Sequence, residues 1–467
     1  MNSPVQFPAG SLPAEPAYAR LLGLYPQRRT GLWMQRIRVL GGRLTRHQWN
    51  ALADIAEQLT PGEPLHLTTR QDLEIHGLSE QAVPRAQLLL DEAGLTGLGA
   101  CGDTIRNVTV CPCSGVAPQA PELIPLARRL TDLLQTHDGA FSLPRKLKIS
   151  LSACPQKCGQ PWINDLGLAA VPDDDGWKIQ AVIAGSLGGR PATGIPYPRL
   201  LEPWEILPMA MGVLRVFAAQ GDREHRHKAR LRHVRERLGD DAFLSLLDRD
   251  FQAVLRSRSW PDVRLAEPQS SFAYRRQLRF AGGNLPSDLA RTLGSLAERD
   301  DLRMRIANHH QIVLFGRDEQ AIDDAITRNG LEEFGTSGPR IVVCPGTRWC
   351  ARGLADTGQL ATAVRERLNG SAAEDVLIAI SGCPNGCAHS SVADVGAIGG
   401  ITGSQPSRIE AWNIVAGGER GQGPGLARPV AGRLTLDDAA ARIAELAIEA
   451  AAGRSGVRGA NDEQRTV

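Results

Sequence analysis

Four of the nine cysteines in this 467-residue chain stand in two short runs, CPGTRWC with Cys344 and Cys350, and SGCPNGC with Cys383 and Cys387. The pattern is C-x5-C, then 32 residues, then C-x3-C. Four thiolates delivered by two loops cage either a tetrahedral zinc or a four-iron cluster. Zinc ribbons take C-x2–4-C at each knuckle, and the first gap here fits that poorly. Pro and Gly between the cysteines suit turns whose backbone N–H groups face sulfur, which helps to hold an anionic cluster. The spacing therefore favours iron–sulfur, with zinc or buried non-ligand thiols as the alternatives.

A second set nearly repeats the first. Cys154 and Cys158 keep C-x3-C, but Cys111 and Cys113 form CPC where C-x5-C would stand. Free thiols left from an ancestral site, a second cluster and a redox-labile pair are the three readings. CPC sets its sulfurs too close in sequence for easy capture by two corners of a cluster. Cys101 is the ninth thiol.

The other chemistry is anion binding. TTRQDLEIHG (68–77) places Arg70 on an apparent strand, and DTIRNV (103–108) does the same for Arg106. PRKLK puts Lys146 and Lys148 two apart on a strand, facing one side. Two ammonium groups about 7 Å apart repel by roughly 2–3 kcal/mol at an effective dielectric near 20, and an anion between them reverses that cost. Each residue alone reads as a surface charge. Together, beside a metal-type cysteine set, they read as an anion pocket.

Two copies of one pattern must position these groups. CPQKCGQPWINDLG from Cys154 matches CPNGCAHSSVADVG from Cys383 at a constant offset of 229, through Cys154, Pro155, Cys158, Asp165 and Gly167. MQRIRVLGGRL (34–44) likewise matches RRQLRFAGGNL (275–285) at an offset of 241. Each of the latter reads as strand, Gly-Gly turn and helix. Thr45 and Gln48 have capping-box spacing, and Trp49, Leu52, Ala56 and Leu59 make an apolar face, as do Leu289, Leu293 and Leu296 in the second copy. LKISLSA (147–153) and DVLIAISG (375–382) read as strands that end at cysteine pairs. The expected class is α+β, mixed sheets flanked by helices. The expected organisation is an N-terminal extension (1–19), a first half (20–218), a charged linker (219–264), a second half (265–450) and a tail (451–467). Within the linker His225, His227 and His233 read as a solvated helix face.

Composition narrows the class. Lys plus Arg at 53 against Asp plus Glu at 51 excludes a strongly basic nucleic-acid binder. With 42% hydrophobic and 22% charged residues the chain is ordinary for a folded soluble protein. No run approaches the 18 or more apolar residues of a membrane span. The start, MNSPVQFPAGSLPAEPAYAR, has neither a basic nor an apolar leader region, so a cytoplasmic protein is expected.

The combination of CPGTRWC, SGCPNGC, TTRQ with a following HG, IRNV and PRKLK resembles the siroheme-dependent sulfite and nitrite reductases, over about residues 20–420. The resemblance implies two pseudo-symmetric halves, each with a ferredoxin-like portion and a mixed-sheet siroheme and cluster portion. It implies a 4Fe–4S cluster on Cys344, Cys350, Cys383 and Cys387, with Cys387 bridging to siroheme. Arg70, Arg106, Lys146 and Lys148 would surround the substrate, a lysine of the K-x-K pair would donate protons, and Arg145, Gln71 and Asn385 would contact siroheme. The activity implied is six-electron reduction of sulfite to sulfide, with nitrite to ammonia also possible. Electrons would come from a separate donor such as ferredoxin, since no flavin segment is present. Lys148 leans the chain toward sulfite, because nitrite-type members often carry Asn there. IANHHQ (306–311) and CAHS (387–390) depart from the family's usual segments. Assimilatory members generally lack the Cys111, Cys113, Cys154 and Cys158 set, while some dissimilatory members carry a cluster in each half. A precorrin-3B synthase-like oxygenase and a non-catalytic iron–sulfur electron-transfer protein are the competing readings. The four pocket cations argue against both.

Overall fold

The computed structural model describes residues 15–174, 176–268, 272–335, 338–371, 373, 375–404, 408–419, 423 and 425–462, without the side chains of 454–462. Most of the N-terminal extension and the last residues of the tail lie outside these. The fold is α+β, as expected. It divides into two compact units, one of residues 1–186, 192–278 and 284–333, the other of 187–191, 279–283 and 334–467.

The cysteine-bearing sheets show the repeat in three dimensions. In the first unit the strands Thr109–Val110, Ile149–Ser152, Leu166–Asp173, Gly176–Ile183 and Ile195–Pro196 lie in that order. The first three pair in parallel, the fourth pairs antiparallel with the third, and the fifth pairs antiparallel with the fourth. In the second unit Arg340–Val343, Leu377–Ser381, Val395–Thr402, Ile409–Ala416 and Arg428–Leu434 repeat the order and the directions. Even the register repeats: Ile149 pairs with Leu166, and Ile378 with Val395, both at the 229 offset. One carboxylate fixes it each time, buried in the first unit and half-buried in the second. Asp165 Oδ2 accepts from Lys148 N at 2.8 Å, and Asp394 Oδ2 from Leu377 N at 2.7 Å.

The amino-terminal sheet of the first unit has the order Leu24–Pro26, Leu32–Ile37, Leu73–Ser79, Leu65–Leu67 and Asn284–Leu285. Its last strand belongs to the second sequence half, so the spatial units do not follow the sequence repeat. Packing explains this. The helix Arg46–Leu59 opens on the expected capping box, Thr45 Oγ1 accepting from Gln48 N and Gln48 Oε1 from Thr45 N. It buries Trp49, Leu52, Ala53, Ile55 and Ala56, and its partner is the helix Leu289–Leu296 of the other half. A Cβ on Gly294 would stand 3.1 Å from Trp49 Cβ, so the glycine sets how closely the two helices approach.

Segment 219–264 contains the helices Leu231–Leu238 and Asp240–Arg256. The second buries Phe243, Leu247, Phe251 and Val254 in the first unit's core. His225 is solvated and pairs with Asp222, as a solvated face requires. His233 differs: it is buried with Leu231 and Val234 and faces Glu236 at 2.9 Å, because this helix packs on its neighbour. In the second unit Leu360, Ala361 and Val364 of the helix Thr357–Arg367 join Ala440, Ile443 and Ala447 of the helix Leu436–Asp462.

Candidate active site

Three adjoining segments of the first unit bring the four expected cations together. Leu147 bridges Ile105 in parallel, with Arg106 N donating to Leu147 O at 2.9 Å. Leu147 is fully buried, and Lys146 and Lys148 on either side of it are half-buried, as alternation along an extended chain predicts. Arg70 joins them by donating from Nη2 to Asn107 O at 2.7 Å and to Ile149 O at 3.2 Å, and from Nη1 to Asn164 Oδ1 at 2.8 Å. It does so from a turn between Leu65–Leu67 and Leu73–Ser79, not from the expected strand. Gln71 at φ 61° makes that turn sharp. Arg106 likewise precedes the strand Thr109–Val110.

A guanidinium has five N–H donors. Arg70 spends three on these bonds, and its buried Nε has no hydrogen-bond partner among the described residues. Arg106 spends three on Ala100 O and Gly102 O, at 2.6 to 3.2 Å. Arg38, matched in the repeat but not expected at the site, is 8% exposed, and its Nη2 also makes no hydrogen bond among the described residues. Burial lowers the pKa of Arg38 and Arg106, and that of Arg70 to about 10. Asp72 acts electrostatically on all three arginines. Its own pKa is pushed up to about 6 by burial, against the pull of those cations. These arginine donors without partners are what a carboxylate-rich tetrapyrrole or a small oxyanion requires.

Two expected cofactor contacts have other partners. Gln71 is fully buried; its Nε2 donates to Val110 O at 2.7 Å and Ile306 O at 2.9 Å, and its Oε1 accepts from Val110 N at 2.8 Å. Arg145 pairs with Asp103 at 2.8 Å, which Arg226 also binds. Sequence reasoning missed Asn164, Asp72 and Arg230. The last reaches Asp165 Oδ2 at 2.7 Å from the segment read as a linker. The only signal for Asn164 and Asp165 was their place in the repeated run that follows Cys154.

In the second unit Cys344 and Cys350 flank the short helix Gly346–Trp349, and Cys383 and Cys387 lie on the loop after Leu377–Ser381. Gly382 N donates to Cys344 Sγ at 3.1 Å, and Asn385 bonds to Cys383 through its N–H and its side chain. Burial pushes the Cys344 thiol up to about 12 and raises Cys383. Such thiols ionise when a cationic centre is present, and N–H groups aimed at sulfur suit an anionic cluster. Cys383 is buried and Cys387 exposed, leaving the Cys387 sulfur accessible to a second bond. Zinc at Zn–S about 2.3 Å would draw four sulfurs to about 3.8 Å from one another. Among the described residues no three of these four meet even a 4.8 Å limit, so the set fits the larger four-iron cluster better. The first-unit set is tighter: Cys113, Cys154 and Cys158 all lie within 4.8 Å of one another.

The family profile described as the nitrite and sulphite reductase 4Fe-4S domain matches residues 101–255 and 336–450. The nitrite/sulfite reductase ferredoxin-like half domain matches 25–93. The chain belongs to the nitrite and sulphite reductase family and is an oxidoreductase of siroheme and 4Fe–4S type. It is 27% identical to the assimilatory ferredoxin-dependent nitrite reductase of Haloferax mediterranei, over 92% of this chain and 81% of that protein. It is 25% identical to the ferredoxin–nitrite reductase of Leptolyngbya laminosa, over 90% and 86%. To the NADPH sulfite reductase hemoprotein beta-component of Shewanella piezotolerans it is also 25% identical, over 79% and 75%. The solved structure of the Mycobacterium tuberculosis NirA protein has the same fold, with a TM-score of 0.76 at 22% identity, covering 90% of this chain and 84% of that one. No helix among the described residues is long and apolar enough to cross a membrane.

Proposed function

We propose that the protein reduces nitrite to ammonia in a six-electron reaction fed by a ferredoxin-type donor, and accepts sulfite as a second substrate. The carrying observation is the arginine group of Arg38, Arg70 and Arg106 on segments adjoining Lys146 and Lys148, with buried donors on Arg38 and Arg70 that make no hydrogen bond among the described residues. Ferredoxin-dependent nitrite reductases among the relatives favour nitrite and that donor. Lys148 supports a second reading, in which sulfite is preferred.

Cys344, Cys350, Cys383 and Cys387 would hold the cluster, and Cys387, the exposed sulfur, would be shared with siroheme. Together these groups would supply electrons singly at the substrate-binding iron. The chain's own residues do the rest. Arg70, held on three sides by protein acceptors, keeps its remaining N–H groups in fixed directions, so an oxyanion is bound without reorganisation. Lys146 and Lys148 add positive charge from one extended segment. Asp72, its pKa raised to about 6 by burial, is mostly ionised at neutral pH but takes up a proton more readily than an ordinary carboxylate, and it is the first candidate to relay one within the arginine group's field.

Turnover of the purified chain with reduced ferredoxin tests this. We expect stoichiometric ammonia and a higher kcat/KM for nitrite than for sulfite. A higher value for sulfite would establish the second reading, and no turnover of either would refute both.

A further inference from the structure

The proposed reaction leaves Cys111, Cys113, Cys154 and Cys158 without a role. Three of them stand at ion-site distances, and Cys111 adjoins two of those three. Cys113, Cys154 and Cys158 have their sulfurs within 4.8 Å of one another, with Cys154 Sγ and Cys158 Sγ 3.2 Å apart. Cys111 is in hydrogen-bond contact with Cys113 and Cys154, and Cys113 with Cys158. Three of the four are buried and Cys158 is half-buried. We propose that these four thiols bind one structural zinc ion as a tetrahedral four-cysteine site.

The second unit supplies an internal control. Both sites grow from one backbone plan. Cys111 N donates to Leu151 O and Cys344 N to Ile380 O. Ala153 N donates to Cys111 Sγ at 3.0 Å as Gly382 N does to Cys344 Sγ at 3.1 Å. What differs is the second ligand. Cys350 follows Cys344 after a helical turn, whereas Cys113 follows Cys111 by two residues, so its sulfur stays close to the other three. The short spacing that suits a four-iron cluster poorly suits a single ion, whose ligand sulfurs stand about 3.8 Å apart.

Charge and surroundings agree. Four thiolates on a dication carry two net negative charges, and the N–H groups of Ala153 and Cys158, the latter 3.4 Å from Cys154 Sγ, are aimed at sulfur. Cys111, Cys113 and Cys154 belong to the unit's hydrophobic core, with no open coordination position needed. The ion would tie segment 111–113 to loop 154–160. Gln160 O, at the end of that loop, accepts from Asn164 Nδ2 at 2.8 Å, and Asn164 in turn holds Arg70.

The test is zinc and iron analysis of the full-length holoprotein, with zinc-edge X-ray absorption. The expected result is one zinc per chain surrounded by four sulfurs at about 2.3 Å. Cys154→Ser should lower zinc at least tenfold while iron per chain stays level, and Cys383→Ser should keep zinc. Four extra irons per chain that disappear in Cys154→Ser would mean a second cluster and overturn the proposal. So would a zinc-free protein whose first-unit thiols all titrate, or a zinc shell of nitrogen and oxygen. The wild-type spectrum decides even if Cys154→Ser does not fold. None of these outcomes depends on whether nitrite or sulfite is the substrate.

Discussion

Arg70 and Asn107 hold each other reciprocally: Arg70 Nη2 donates to the Asn107 carbonyl at 2.7 Å, and Asn107 Nδ2 donates to the Arg70 carbonyl at 3.2 Å. Two motifs distant in sequence are thereby locked into one cation-bearing surface. The same Asn107 amide donates to Val39 O at 3.1 Å, which anchors the pair next to Arg38.

Asn107→Ala removes both donors inside a buried site. Each buried acceptor left without a partner costs about 1–3 kcal/mol, so urea unfolding should show a loss of about 2–6 kcal/mol for the two. The KM for nitrite should rise as Arg70 gains freedom, with the visible spectrum unchanged. An unchanged KM would mean that Arg70 does not need Asn107 for its orientation.

Arg70→Lys keeps the charge and loses the fork. An ammonium cannot serve Asn107 O, Ile149 O and Asn164 Oδ1 while still presenting donors to an oxyanion. We expect kcat/KM to fall by about tenfold or more, a transition-state loss of about 1.4 kcal/mol or more. A variant as active as the parent would show that charge alone suffices.

Asp72 gives a pH signature. Its folded pKa of about 6 is raised above the ordinary carboxylate value, so the folded state holds this proton more tightly than the unfolded chain does. That contribution is present below about pH 4 and lost as pH rises through 6. Asp72→Asn should therefore gain stability relative to the parent as pH rises from 4 to 7, on the order of 3 kcal/mol. Parallel unfolding curves at all pH values would show that Asp72 titrates normally.

His66 shows the opposite sign. Burial lowers its pKa to about 4, in a cluster where its ring stands 5.6 Å from that of His76 and 5.3 Å from that of His310. Stability from the neutral ring is present above about pH 6.5 and lost as pH falls through 4. His66→Gln should flatten the acid limb of the unfolding profile. An acid limb identical to the parent's would place the loss on another group.

The sequence made the cysteine motifs, the 229 offset and the α+β class readable because each leaves a local signature. Lys146 and Lys148 flank Leu147 as alternation required. Arg70 was assigned to a strand because Gln71, whose left-handed backbone makes the turn, is not a residue type that signals one. Gln71 and Arg145 read as cofactor contacts; within the protein Gln71 bonds to Val110 and Ile306, and Arg145 pairs with Asp103. Such partners lie far away in sequence and leave no spacing to detect. The strand Asn284–Leu285 joins the sheet of the other sequence half for the same reason: only packing, Gly294 against Trp49, reveals it. Arg230 was lost inside a charged run that reads as solvated until its salt bridge to Asp165 is seen.

The cluster ligands can be tested through Cys387. Cys387→Ser should uncouple cluster from haem and lower turnover by about a hundredfold or more, while a protein as active as the parent would rule out its bridging role.

The central claim, siroheme and cluster serving one oxyanion reductase, is tested most directly by the visible spectrum and iron content of the purified chain. The account predicts a siroheme Soret band that shifts on adding nitrite, with four cluster irons and one haem iron per chain. A protein with neither the band nor this iron content would contradict it.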